Sequence, residues 1–160
     1  MSSSISLRRA TLADVEPLYA IHCAALRDYI EQTWGGWDEA AQAAWFRTQF
    51  PLGLRQVICV DEQMAGYIDQ ERQADCLFLI NVAIAPQFQG RGIGTRLIFD
   101  LLQRAAEQAL PVRLQVLKVN RRARALYERL GFQTLGESPT HYQMQSLYVP
   151  GDAALPPPSR

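Results

Sequence analysis

The stretch that decides the fold covers residues 76–95 and reads CLFLINVAIAPQFQGRGIGT. Its first half, Cys76 to Ala85, is an almost unbroken apolar run, which is typical of a central β-strand covered on both faces. Its second half carries three glycines in five residues, Gly90, Gly92 and Gly94, directly before an amphipathic pattern. A strand, a glycine-rich turn and a helix N-terminus bring several free backbone N–H groups together, an arrangement that binds anions and above all phosphate.

Two better-known phosphate motifs do not fit this turn. A dinucleotide-binding Gly-x-Gly-x-x-Gly motif would need a glycine at Thr95, and a P-loop would need a Gly-Lys-Ser/Thr that the stretch lacks. The glycines could instead only permit a tight turn and close packing of a helix on the sheet. Three glycines in five residues exceed what a turn needs, so we favour an anion site.

The rest of the chain predicts an α/β fold, a mixed sheet with helices on both faces. Hydrophobic periodicity and turn signals give the element order βααβββαβαββ. The predicted strands are residues 5–9, 56–60, 65–70, 76–85, 112–118, 132–136 and 142–148. Thr11, Asp38 and Asn120 are expected to cap helices at their N-termini, and Gly131 is expected to end the last helix.

Two of the predicted helices also indicate which side chains face the core. The helix after Asp38 is expected to turn an apolar face inward that consists of Ala41, Ala44, Trp45 and Phe46. The helix after the glycines has a clearer stripe, made of Ile93, Leu97, Ile98, Leu101, Leu102, Ala105 and Ala109.

The composition is that of a soluble globular chain. Its 160 residues include 16 Lys plus Arg against 16 Asp plus Glu, and 48% are hydrophobic. We expect one domain over residues 1–149 and a disordered proline-rich tail over residues 150–160. Zero net charge gives no argument for nucleic acid as a partner. The longest apolar run falls far short of the ~20 residues that span a bilayer, so no membrane partner is expected.

The cysteines and histidines bear on metal binding and on the cellular compartment. Cys23, Cys59 and Cys76 form an odd set without a Cys-x-x-Cys pair, and the chain has only two histidines. We therefore expect no bound metal, and free thiols in a reducing cytoplasm. The residues before Arg9 also lack the apolar core of a signal peptide, so secretion is not expected.

Charge is unevenly distributed along the chain. Residues 91–129 hold nine basic and three acidic side chains, whereas the remainder holds seven basic and thirteen acidic ones. Such a separation favours an anionic ligand in one half and a cationic ligand in the other. The alternative is that most of these side chains only solvate helix faces.

The run over residues 82–94 resembles the acetyl-CoA signature of the GNAT superfamily of N-acetyltransferases. The family core, Gln/Arg-x-x-Gly-x-Gly/Ala, is present at Gln89, Gly92 and Gly94. A second family block is matched within residues 116–132, as VLKVNRRA followed by LYERLGF. The two blocks lie at the separation found in that family, which makes the match specific.

The resemblance implies a sheet splayed open between the strands that end near Ile84 and near Lys118, with CoA in the gap. Backbone amides from Gly90 to Thr95 would hold the pyrophosphate, and Arg91 and Arg96 would add charge at the rim. The implied CoA contacts are Val82, Ile84, Gln89, Gly90, Arg91, Gly92, Ile93, Gly94, Thr95, Asn120 and Tyr127. Asn120 is equally well explained as a helix cap, and Tyr127 could be a core aromatic, although we favour its role at CoA.

The resemblance also implies direct transfer of an acetyl group from acetyl-CoA to a primary amine in a ternary complex. The Val82 amide would stabilise the thioester oxyanion, and Tyr127 would protonate the departing thiolate. A lysine-like amine with a pKa near 10.4 is protonated at neutral pH, so the reaction needs a base as well.

The identity of that base is open. Some relatives carry a glutamate on the central strand where this chain has Phe78. Asp69, Glu71, Glu31 and His141 are candidates, although each is more readily explained as a surface side chain. A water-relayed base is an equal alternative.

We expect the acceptor amine near residues 27–38, which join the first two helices. This segment holds Tyr29, Glu31, Trp34, Trp37 and Asp38. Their aromatic faces and carboxylates would attract an ammonium group; His141 is a further candidate. Alternatively, the tryptophans only pack beneath the Gly-Gly turn and Asp38 only caps a helix.

Two other functions compete with catalysis. A CoA-binding or regulatory module of the same fold is supported by Phe78 and opposed by Tyr127. A nucleotide-binding domain of another kind is the weaker alternative. The acceptor and the oligomeric state, a homodimer included, stay open.

Overall fold

The computed structural model describes residues 3–147, so the predicted tail lies outside the described residues. Over that range the element order βααβββαβαββ is confirmed, together with the mixed α/β class. The strands are β1 Ile5–Arg9, β2 Arg55–Val60, β3 Gln63–Arg72, β4 Leu77–Ile84, β5 Val112–Leu117, β6 Phe132–Glu137 and β7 His141–Ser146. The helices are α1 Val15–Trp34, α2 Glu39–Thr48, α3 Ile93–Glu107 and α4 Arg121–Arg129.

The strands form one seven-stranded sheet in the order β1-β2-β3-β4-β5-β7-β6. The pairs β1–β2, β2–β3, β5–β7 and β6–β7 are antiparallel, whereas β4 and β5 are parallel, in register from Leu77 opposite Val112 to Leu79 opposite Leu114. The glycine turn follows β4, so it lies at the carboxyl end of a strand with a parallel neighbour. This is the end at which ligands bind in open α/β sheets.

The two edges of the sheet are irregular in different ways. At one edge, β1 is only five residues long and ends in Arg8 and Arg9. At the other edge, the register of β6 against β7 shifts between Thr134 and Gly136. Leu135 bulges from the strand there and is 63% exposed.

The chain divides into two compact units, the first of which contains residues 3–70 and 81–89 of the described range. Its core is a hydrophobic cluster of Ala10, Leu18, Tyr19, Ala43, Phe46, Val57, Cys59, Tyr67 and Ala83. Gly66 on β3 lies so close to β4 that a Cβ atom would collide with the carbonyl oxygen of Ala83. Only glycine therefore permits this approach of the two strands.

Thr11 caps the short 3-10 turn Leu12–Asp14 that leads into α1, whereas the residue directly before α1 is Asp14. Two other helix boundaries in the first unit follow the sequence signals. Helix α1 ends at Trp34 because Gly35 adopts a left-handed φ of +83°, and the Asp38 carboxylate accepts the Ala41 N–H at 3.0 Å to start α2. The predicted inward face of α2 is partly wrong. Its buried residues are Ala43 and Phe46.

The misplaced α2 side chains lie toward solvent. Ala41 and Ala44 are exposed, and Trp45 is 56% exposed. The reason is that the helix is short and buries only one residue per turn, so a narrow i, i+3 stripe suffices to cover its part of the core.

The second unit contains residues 71–80 and 90–147 of the described range. Helix α3 buries Ile93, Leu97, Ile98, Leu101, Leu102 and Ala105, as the periodicity predicts. The helix ends at Glu107, however, and Ala109 has a left-handed φ of +57°. Ala109 therefore belongs to the turn before β5, not to the inward stripe. Within residues 3–147, no helix is both long and apolar enough to cross a membrane.

Candidate active site

The glycine turn of the second unit forms a cradle of backbone N–H groups. Gly90 and Gly92 have left-handed φ angles of +76° and +77°, and α3 begins directly after Gly92. The Arg96 N–H makes a helical hydrogen bond to the Gly92 carbonyl at 3.0 Å. The N–H groups of residues 93–95 therefore precede the hydrogen-bonded ladder and lie at the positive end of the helix dipole. This arrangement suits a phosphate group.

Basic residues lie within this turn and next to it. A Cβ atom added to Gly90 would lie 3.8 Å from the guanidinium Nη2 of Arg122, which belongs to the first turn of α4. Arg91 and Arg96 are exposed, and Arg96 pairs with Asp100 at 3.4 Å. Arg122 is not among the site residues predicted from the sequence. The excess of basic residues between 91 and 129 was the signal that could have indicated it.

Helix α4 carries the two remaining candidates of the second block. Asn120 caps the helix, because its side-chain oxygen accepts the Ala123 N–H at 3.1 Å. The Tyr127 ring is buried and packs at 5.5 Å from the Phe132 ring. Burial raises the pKa of the Tyr127 phenol to about 12. The phenol is protonated at neutral pH at either its ordinary or its raised pKa, the state that a proton donor requires.

His141 lies at the start of β7, opposite Leu117 of β5. Its Nδ1 atom shares a 2.7 Å hydrogen bond with the Thr140 hydroxyl, and its backbone N–H donates to the Ser138 hydroxyl. Burial lowers the pKa of the imidazole. The ring is consequently neutral at physiological pH.

The strand-derived candidates lie in the first unit. Val82 and Ile84 are half-buried on β4. The side-chain amide of Gln89 donates to the Ile84 carbonyl at 2.8 Å, which closes the turn after β4. This bond gives Gln89 a local structural role, and its expected contact with CoA stays a prediction.

The predicted acceptor segment is largely occupied by its own contacts. The Arg27 guanidinium lies 5.5 Å from the centre of the Trp37 ring and donates to the Glu31 carboxylate at 2.8 Å. Arg27 thus contacts two of the side chains predicted to bind the acceptor ammonium, and the acceptor site stays a prediction. Tyr29 is half-buried, Trp34 is 59% exposed, and the Trp37 indole N–H donates to Glu39 at 2.7 Å. Asp38 acts as the α2 cap.

The base candidates have very different surroundings. Asp69 is not a surface carboxylate, contrary to expectation: it is fully buried and accepts two hydrogen bonds from Arg55, at 2.8 and 2.7 Å. The expectation failed because Arg55 reaches Asp69 only through the β2–β3 register, which places the two residues opposite each other. Glu71 is exposed, and Glu31 pairs with Arg27.

A buried histidine in the first unit escaped the sequence analysis. His22 Nδ1 shares a 3.0 Å hydrogen bond with the Tyr67 hydroxyl, and the imidazole lies 5.0 Å from the Phe46 ring. Burial, assisted by the nearby Arg55 cation, lowers the pKa of His22 to about 4. The periodicity of α1 could have indicated it, because His22 follows Leu18 by one helical turn.

Comparison with known proteins agrees with these features. Ribosomal protein bS18-alanine N-acetyltransferase of Salmonella typhimurium is 31% identical over 93 residues, which are 58% of this chain and 63% of that protein. The match thus spans less than two thirds of that relative. L-methionine sulfoximine/L-methionine sulfone acetyltransferase of Pseudomonas aeruginosa is 28% identical over 149 residues, 85% of this chain and 84% of that protein.

A solved structure shows the same fold. PaiA N-acetyltransferase of Thermoplasma acidophilum, in complex with coenzyme A, superposes with a TM-score of 0.71 at 18% identity, covering 91% of this chain and 99% of that one. The sequence model of the Acetyltransferase (GNAT) family matches residues 18–132, which include the glycine turn and most of both compact units. The chain therefore belongs to the GNAT acetyltransferase family.

Proposed function

We propose that the chain transfers an acetyl group from acetyl-CoA to a primary amine by direct attack in a ternary complex. The observation that carries this proposal is the pair of left-handed glycines, Gly90 and Gly92, that leads into α3. These glycines free backbone N–H groups for a pyrophosphate at the start of the helix. Membership of the acetyltransferase family supports CoA as the source of that pyrophosphate.

Each residue of the proposed site has a distinct task. The N–H groups of residues 93–95 hold the pyrophosphate, and Arg122 beside Gly90 adds a positive charge. The Val82 N–H donates to the thioester oxygen and strengthens that bond as the oxygen becomes anionic. The Tyr127 phenol, which is protonated at neutral pH, gives its proton to the departing thiolate.

The step balances without a further reactant. A neutral amine uses its lone pair to form the N–C bond, and the C–S bond breaks in the collapse of the tetrahedral intermediate. One proton leaves the amine nitrogen, and the Tyr127 phenol gives one to the CoA sulfur. Solvent then returns a proton to the Tyr127 phenolate, so no net proton is gained or lost. Asp69 is poorly suited to accept the amine proton because it already accepts three hydrogen bonds. We propose that water relays this proton to solvent.

The test is thiol release from acetyl-CoA with a panel of amines. The relatives suggest its members: a peptide with an N-terminal alanine, and methionine sulfone. We expect thiol release above the rate of acetyl-CoA hydrolysis, and an acetylated amine by mass spectrometry. CoA binding by calorimetry without turnover on any amine would instead support the non-catalytic module, which Phe78 favours because no glutamate base stands on β4.

A further inference from the structure

An exposed asparagine on β4 is tied to a buried ion pair. Asn81 directly precedes Val82 and donates from its side-chain Nδ2 to Oδ2 of Asp69 at 2.9 Å. Along β4 the odd-numbered residues Leu77, Leu79 and Ala83 are buried, but Asn81, of the same parity, is exposed. The face that is covered elsewhere along the strand is therefore open to solvent at Asn81.

Asp69, which accepts the hydrogen bond from Asn81, is fixed in position by Arg55. Asp69 is 0% exposed and receives the forked Arg55 guanidinium through two hydrogen bonds. Arg55 is itself buried, with its guanidinium 4.0 Å from the centre of the Tyr67 ring and 4.8 Å from that of Phe50. Two hydrogen bonds at its edge and neighbouring aromatic rings restrict the orientation of this planar guanidinium. Asp69 is thus a fixed acceptor.

This fixed acceptor sets the direction of the Asn81 amide. An ionised carboxylate paired with arginine can only accept hydrogen bonds, so the NH₂ group of Asn81 must face Asp69 and the Oδ1 atom must face away from it. Buried ion pairs contribute little net stability relative to apolar residues of similar volume. Orientation of the exposed amide is a task that an apolar pair could not perform.

We infer that Asn81 Oδ1 is the hydrogen-bond acceptor that orients the amine substrate. This inference rests on the proposed function, in which the Val82 N–H of the neighbouring residue holds the thioester oxygen. An N–H of the amine donates to Oδ1, which leaves the nitrogen lone pair directed at the thioester carbon. Arg55 and Asp69 hold the amide in place. The substrate class is an amine that retains an N–H while its lone pair attacks.

The test compares Asn81→Ala with a matched control, Gln56→Ala. The control removes another cross-strand side-chain hydrogen bond of the same unit, from Gln70 Nε2 to Gln56 Oε1 at 3.0 Å. We expect Asn81→Ala to lower kcat/KM for the best amine of the panel by about 2- to 12-fold, the value of one hydrogen bond. The KM for acetyl-CoA stays within twofold of wild type, and Gln56→Ala leaves both constants unchanged. If Asn81→Ala lowers kcat/KM equally for the amine and for acetyl-CoA, Asn81 has a purely structural role and the inference is wrong. Unchanged kinetic constants would refute the inference as well.

A second readout does not depend on turnover. The side-chain NH₂ signals of Asn81 in a ¹⁵N–¹H spectrum are assigned by their disappearance in Asn81→Ala. Methylamine added to the CoA-saturated protein should shift these signals but not those of Gln56. If methylamine shifts the Asn81 signals but the protein turns over no amine, the amine site is supported and the proposed function is wrong. Turnover without a shift would overturn the amine site alone, and the absence of both would overturn both.

Discussion

Replacing Gly92 by aspartate adds one negative charge to the cradle without filling occupied space. Gly92 has a φ of +77°, and an added Cβ would meet no atom within 4 Å. Asparagine and aspartate are the side chains that tolerate this left-handed conformation best. Gly92→Asn therefore carries the same shape and nearly the same backbone cost as Gly92→Asp, and the two variants differ in charge alone.

The effect of that charge follows from Coulomb's law. A carboxylate about 6 Å from a pyrophosphate carrying two negative charges is repelled by ~1.4 kcal/mol at a dielectric constant of 80 and by ~2.8 kcal/mol at 40. Gly92 is exposed, which justifies this range of high dielectric constants. We therefore expect CoA to bind Gly92→Asp about 10- to 100-fold more weakly than Gly92→Asn. The difference shrinks as salt is raised, because exposed charges are screened.

Isothermal titration of CoA into wild type and both variants measures this difference, and circular dichroism shows that each variant is folded. The same titrations at two salt concentrations check the electrostatic origin. If folded Gly92→Asp binds CoA as tightly as folded Gly92→Asn at low salt, no phosphate lies at this turn and the cradle assignment is wrong.

Three further outcomes follow from the buried groups. Tyr127→Phe should lower turnover by roughly 10²–10⁴-fold with little change in acetyl-CoA affinity, because it removes a proton donor and keeps the ring; wild-type turnover under chemistry-limited conditions would make Tyr127 a core residue only. Gly66→Ala should cost about 2–3 kcal/mol of unfolding free energy in urea titrations, since the Cβ collides with backbone at Ala83; a loss below about 0.5 kcal/mol would show that β3 and β4 adjust freely. His22 has a pKa of about 4 when folded and about 6.5 when unfolded, so the unfolded state takes up the proton first and stability falls by up to about 3 kcal/mol as pH drops from about 6.5 to about 4. His22→Gln should flatten that part of the stability profile, and an unchanged slope would contradict it.

The features that the sequence predicts well are those encoded by neighbouring residues. Asp38 and Asn120 cap α2 and α4 through bonds to residues only three positions away. The turn glycines need no distant partner either, because their left-handed φ angles are a local property. The order of elements is readable for the same reason, since each is signalled by its own periodicity and its own caps.

The features that the sequence does not predict depend on the register between strands and on packing between helices. Asp69 resembles a solvated carboxylate until β2 places Arg55 opposite it. Arg27, one helical turn before Glu31, contacts both Glu31 and Trp37, which the pattern of aromatic and acidic residues alone does not indicate. A pattern of residue types can indicate which groups attract each other, but it does not show whether the chain already supplies the partner.

The irregular edges of the sheet limit how this protein can associate. A sheet edge grows by adding a flat strand from another chain, which requires several successive N–H and C=O groups in line. The bulge at Leu135 interrupts that line on β6, and the short β1 strand presents Arg8 and Arg9 instead of a long apolar ribbon. Both edge strands thus carry features that natural sheets use against edge-to-edge pairing. Deletion of Leu135 would remove the extra residue of β6 and restore a regular ladder of edge N–H and C=O groups, so this variant should aggregate more readily than the wild type.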